Sequence, residues 1–110
     1  MDPLSYPWQK FSSAIYSLAG EGSLQSRIGG AYATFHVLQV EHFKDHPDLW
    51  DQYQQIIDRL TVIKNPDEGY AAATLEQMPD DEACEVITMI LDLAFMIAEA
   101  RLKKAHQNSN

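Results

Sequence analysis

A chain of 110 residues with sixteen acidic and eight basic side chains, a formal net charge of −8 and 45% apolar residues has room for one core and no more. That charge opposes binding to phosphate backbones, which depends on Lys and Arg displacing counterions, so no nucleic acid partner is expected. Five prolines and five glycines are too few for a collagenous or disordered chain, and the lone cysteine, Cys84, permits no intrachain disulfide, so a cytoplasmic location is expected.

The opening residues, Met1 to Pro7, lack the basic start and unbroken apolar run of a secretory signal, and Asp92 interrupts the longest apolar stretch, so no membrane partner is expected either. A first helix is predicted over about 7–19, where Trp8, Phe11, Ile15 and Leu18 recur on one face; Pro7 suits its first position and Gly20 the left-handed residue past its end. The turn Gly20, Glu21, Gly22 reads as a helix connection rather than an anion cradle. Ser23 is a good N-cap for a second helix carrying Leu24, Ile28, Ala31, Phe35 and Leu38 at steps of four and three. Gly29 and Gly30 each disfavour that helix by roughly 1 kcal/mol relative to alanine, which points to close approach of a neighbouring helix.

A third helix restarts at Asp45, His46, Pro47 and Asp48, with Asp45 as the capping residue, and its stripe of Leu49, Trp50, Tyr53, Ile56, Ile57, Leu60 and Ile63 is the clearest amphipathic pattern in the chain. Residues 64–69 read as a loop and 70–78 as a short alanine-rich helix. Pro79 then opens a final helix of about 25 residues, roughly 37 Å long, with Asp80, Asp81 and Glu82 in its first turn and Arg101, Lys103 and Lys104 near its end, which matches the helix dipole at both termini. The expected fold is therefore all-α: a compact bundle of four to five helices with a long C-terminal helix, one domain over 1–110, a core spanning about 7–104 and a polar tail at 105–110.

The final helix is apolar over an arc of about 200°, where one core-facing stripe needs little more than 100°. Two of its faces are therefore expected to be covered. On the remaining strip Glu85, Asp92 and Glu99 recur every seven residues, bordered by Met89 and Met96. Between Asn65 and Ala100 stand nine carboxylates and no Lys or Arg. This pattern favours a small acidic helical protein-interaction module, either homodimeric or of the inhibitor or immunity type that covers a basic site on a protein partner. Glu85, Met89, Asp92, Met96 and Glu99 are its expected contact residues. No cofactor is expected.

The alternative is a small all-α enzyme. His36, Glu41, His42, Asp45 and His46 fall within eleven residues and offer nitrogen and oxygen donors, so a metal-dependent site would use His36, His42 and His46. Arg101 and His106 are separated by four residues, an Arg-x4-His spacing that resembles the signature of the small all-α ribonucleases of the HEPN class. The resemblance covers six residues and implies His106 as acid and base and Arg101 as the cation stabilising a pentavalent phosphate. The chain departs from that class at Leu102, where a polar residue usually follows the arginine. Cys84 reads as a small core residue rather than a reactive thiol. Tyr6, Trp8, Tyr16, Tyr32, Trp50 and Tyr53 are expected mostly in the core or at its edge, with a pocket between helices as the other reading.

Overall fold

The computed structural model describes residues 2–108. Five α-helices follow one another: α1 (Ser5–Leu18), α2 (Leu24–Phe35), α3 (Pro47–Leu60), α4 (Tyr70–Gln77) and α5 (Asp80–Asn108), with a 3₁₀ turn at Val40–Phe43 between α2 and α3. No strand occurs among the described residues. The fold is an all-α bundle with a long C-terminal helix.

Each helix buries the stripe that its sequence spacing sets on one side. Phe11, Ala14 and Leu18 of α1, Ile28, Ala31 and Phe35 of α2, Leu49, Tyr53, Ile56 and Leu60 of α3, and Leu75 of α4 meet Ala83, Val86, Ile90, Leu93 and Ile97 of α5 in one cluster. α5 packs against α1, α2 and α3 and so forms the spine of the bundle. At 29 residues it is about 43 Å long, close to the molecule's longest dimension of 50 Å.

Local chemistry fixes the joints. Ser23 Oγ accepts the Ser26 N–H at 3.0 Å and caps α2. The Gln25 amide donates to Met78 O at 2.8 Å and to Asp80 Oδ1 at 2.9 Å, tying α2 to the start of α5. Thr74, the buried polar side chain of α4, accepts the Ile63 N–H at 3.0 Å. The glycine pair of α2 does face neighbours: a Cβ on Gly30 would stand 3.4 Å from Ser17 Cβ of α1, and one on Gly29 would stand 3.6 Å from Leu75 Cδ1 of α4. Both are ordinary contact distances, so the approach is close without excluding alanine.

Several boundaries differ from the sequence reading. α1 begins at Ser5, and Leu4 before it is fully buried, so the core starts ahead of residue 7. The left-handed residue of the first turn is Gly22, with φ 104°, rather than Gly20. Asp45 does not cap α3; it takes φ 73°, a bend that Asp tolerates better than most residues, and His46 is the N-cap. The expected tail at 105–110 is helical through Asn108, with 105–107 exposed; positions 109 and 110 lie outside the described residues.

The N-terminal segment is clasped to the far end of the chain. Asp2 Oδ1 accepts the Leu4 N–H at 3.0 Å, and Asp2 Oδ2 accepts from Arg101 Nε at 2.6 Å. The Arg101 hydrogen bond holds the Asp2 carboxyl below its ordinary value, against a smaller opposing effect of burial. Both side chains are about one-third exposed, so solvent limits the pair to about 1 kcal/mol. A carboxyl with a depressed folded-state pKa stabilises the fold above its unfolded pKa and loses that contribution as pH falls through the folded value. Asp2→Asn is therefore expected to lower stability by about 0.5–1 kcal/mol at neutral pH. In urea titrations the difference should vanish as the pH drops below the carboxylate range.

Candidate interaction surface

The residues proposed for chemistry are held apart. His36 Nδ1 lies 3.2 Å from the carbonyls of Tyr32 and Ala33 at the end of α2, and its ring stacks on Tyr32. His42 Nδ1 accepts the Gln39 N–H at 2.9 Å within the 3₁₀ turn, while His46 caps α3. The His36 and His42 rings thus serve different helix ends, and His46 caps α3 through its backbone carbonyl. Among the described residues no group of three or more His, Cys, Asp or Glu stands close enough to hold a metal ion. Arg101 and His106 both lie on α5, but five positions along a helix turn through about 140°, and Asp2 engages Arg101 on the α1 side. Only Tyr53 of the six singled-out tyrosines and tryptophans is buried; Trp8, Tyr32 and Trp50 are half-buried, and Tyr6 and Tyr16 are exposed. Tyr32 and Tyr70, with Gly29 and Leu75, wall an open groove of about 340 Å³ between α2 and α4.

The carboxylate strip of α5 runs along its α3 side. Arg59 of α3 donates to Glu85 at 2.9 Å, reaches Glu82 at 3.7 Å and approaches Met89 Sδ at 3.7 Å. Met89 and Met96 are half-buried against the core, so α3 covers the methionine border of the strip. Asp92 and Glu99 stay exposed, and Glu99 pairs with Lys103 one turn on at 3.6 Å.

On the opposite flank, Leu91 and Ala98 are half-buried beside α1, and past them two large apolar side chains are left bare. Phe95 is 68% exposed and Leu102 is 71% exposed. Cys84, expected in the core, is exposed as well. Within the arc Ala83, Val86, Ile90, Leu93, Ala94 and Ile97 are buried and Ile87, Leu91 and Ala98 half-buried, so α1, α2 and α3 cover more than one of its faces and Phe95 is its exposed member. Cys84, Thr88, Leu91, Phe95, Ala98 and Leu102 form a continuous row whose spacing alternates four and three, and Ala105 continues it. This alternation is the 3.5-residue period of a helix–helix seam. α1 supplies one bank: Trp8 lines an open groove of about 420 Å³ with Ala98, Leu102 and Ala105, closed at one end by the Asp2–Arg101 pair.

Charge along α5 changes sign from end to end. Asp80, Asp81, Glu82, Glu85 and Asp92 precede Phe95, while Arg101, Lys103 and Lys104 follow it. The surface therefore combines an apolar row, an acidic strip beside it and a basic end. Comparison with family models, curated proteins and solved structures finds no match to this chain.

Proposed function

We propose that the chain is a protein-interaction module whose contact surface is the outer face of α5, with Phe95 and Leu102 as apolar anchors and Glu85, Asp92 and Glu99 as an acidic rim. The observation that carries this reading is that Phe95 and Leu102 stand exposed in one row on the longest helix, with the half-buried Leu91 and Ala98 in the same row. Phe95 leaves two-thirds of its surface open, about 130 Å² for a side chain of about 200 Å². Isolated apolar residues on a surface are ordinary, but a row of them beside charged side chains is the composition of a contact surface. The rim favours a partner that presents Lys or Arg. A second copy of the chain has these on its own α5, and a basic protein covered by an inhibitor or immunity-type module would offer them too. The lone exposed cysteine supports a reducing compartment such as the cytoplasm.

A photo-cross-linking amino acid at position 95 is expected to yield a discrete protein adduct in living cells, lost when Leu102→Glu is added. The same group at Val62, which is 64% exposed between α3 and α4, is expected to yield none. Equal labelling at both positions, or no adduct at 95, overturns the reading.

A further inference from the structure

The occupant of this face is, we infer, a second copy of the chain, its α5 packed antiparallel to the first about a two-fold axis at Phe95. This inference rests on the reading of α5 as the contact surface and names what that surface takes. A nearly straight row of side chains along one helix is the shape that a second helix laid alongside can follow, as the helices of the bundle follow the buried stripe of the same alternation on the other side of α5. It runs about 32 Å, from Cys84 to Ala105, at 1.5 Å per residue.

Within the row, large and small residues are arranged so that an antiparallel copy fills the gaps. With Phe95 on the axis, Leu91 meets the partner's Ala98, and Thr88 meets the partner's Leu102. The two Phe95 rings stack in the middle, an arrangement that aromatic pairs favour when offset. A parallel copy would instead set Ala98 against Ala98 and leave a hollow between bulkier contacts.

Charge selects the same orientation. The flank of the row carries Asp81 and Glu85, the latter also held by Arg59 of its own chain, at one end and Lys103 at the other. Antiparallel pairing brings each acidic end beside the partner's Lys103, whereas parallel pairing sets Glu85 against Glu85 and Lys103 against Lys103. Asp92 and Glu99 of both copies flank the axis, and Lys103 already engages Glu99 at 3.6 Å. The remaining repulsion there and the length of the row point to a small interface, about 1,000–1,200 Å² in total, and hence to a reversible dimer in the micromolar range rather than an obligate one.

Sedimentation equilibrium of the full chain from about 1 to 500 µM tests the pairing. A reversible monomer–dimer equilibrium is expected, with Phe95→Glu and Leu102→Glu each weakening it by at least about 30-fold. Both side chains are exposed, so circular dichroism of the variants should match the parent. Orientation is read by oxidation of thiols. The antiparallel register holds the two Cys84 residues about 33 Å apart, far beyond disulfide reach, so the parent chain should not cross-link. Ala105→Cys should form an intermolecular bond mapped by mass spectrometry to Cys84 and position 105. A Cys84–Cys84 bond in the dimer overturns the antiparallel arrangement, and a monomer throughout the range overturns self-association. A monomer that still gives the Phe95 adduct with a different protein overturns this inference and keeps the interaction reading; a monomer with no adduct overturns both.

Discussion

Phe35→Ala is expected to destabilise the fold by about 3–5 kcal/mol, the range for deleting a fully buried aromatic ring and leaving a cavity. Phe35 has no exposed surface. Its ring stacks on Phe11 of α1 at 4.9 Å and nearly parallel, and it meets Tyr32 and Tyr53 edge-on at 6.0 and 6.1 Å. One side chain thus joins α1, α2 and α3, and the ring contacts add to simple burial. A domain of this size has roughly 5–15 kcal/mol of total stability, so the loss is a large fraction of it. Urea unfolding should show a lower midpoint with an unchanged slope. Tyr16→Ala is the control: Tyr16 is 81% exposed, and its loss should change stability by no more than about 0.5 kcal/mol. Comparable losses from the two variants would show that the aromatic cluster is not the centre of the core.

Tyr53→Phe isolates a single hydroxyl. The Tyr53 O–H donates to Phe35 O at 2.8 Å and lies 3.3 Å from Leu38 O. These carbonyls sit at and just past the end of α2, where the helix itself provides no donor. Removing the hydroxyl leaves Leu38 O without that donor, while Phe35 O keeps the Leu38 N–H at 3.1 Å, so the expected cost is about 0.5–1.5 kcal/mol at neutral pH. Burial also pushes the Tyr53 phenol well above its usual range, with Tyr32 nearby adding to the effect. The folded chain therefore keeps this proton at a pH where the unfolded chain has released it. Stability from this group falls as pH rises above the unfolded value near 10, by about 1.4 kcal/mol per pH unit. The Tyr53→Phe variant has no such proton to lose, so its deficit should shrink at that rate in alkali. Parallel denaturation curves from pH 8 to 11 measure it, and a constant difference would refute the assignment.

The helices were legible because the core-facing stripes announce themselves. Leu49, Tyr53, Ile56 and Leu60 sit one turn apart in the sequence and are all buried in α3. α5 was harder because two patterns share one helix. Ala83, Val86, Ile90, Leu93 and Ile97 alternate steps of three and four and are buried. The outer row has the same alternation, and its small members Cys84, Thr88 and Ala98 give little hydrophobic signal. A helix taken alone shows that its apolar arc is wide; only the neighbours decide which part is covered. α3 and α1 flank α5 so that Met89 and Met96 are partly sheltered while Phe95 and Leu102 are bare. That Leu102 lies beyond Arg101, outside any core stripe, was the available clue. The histidine cluster failed for a different reason. Proximity along the chain between 36 and 46 is broken by a 3₁₀ turn and by the left-handed Asp45, so that His36, His42 and His46 stand at separate helix ends.

The position of α5 in chain order bears on how the molecule is made. α1 and α2 are joined by a short turn and can pair as soon as both leave the ribosome. The faces that they and α3 turn toward α5 stay uncovered until the fifth helix follows. The seam between α1 and α5 closes almost the whole chain into a loop, with Asp2 meeting Arg101 across 99 positions. Closing that loop has an entropy cost that local helix pairing does not, which slows the last step relative to a bundle of sequential neighbours. Phe11, Ile28 and Ile56, later sealed in the core, are exposed to chaperones and proteases for that interval.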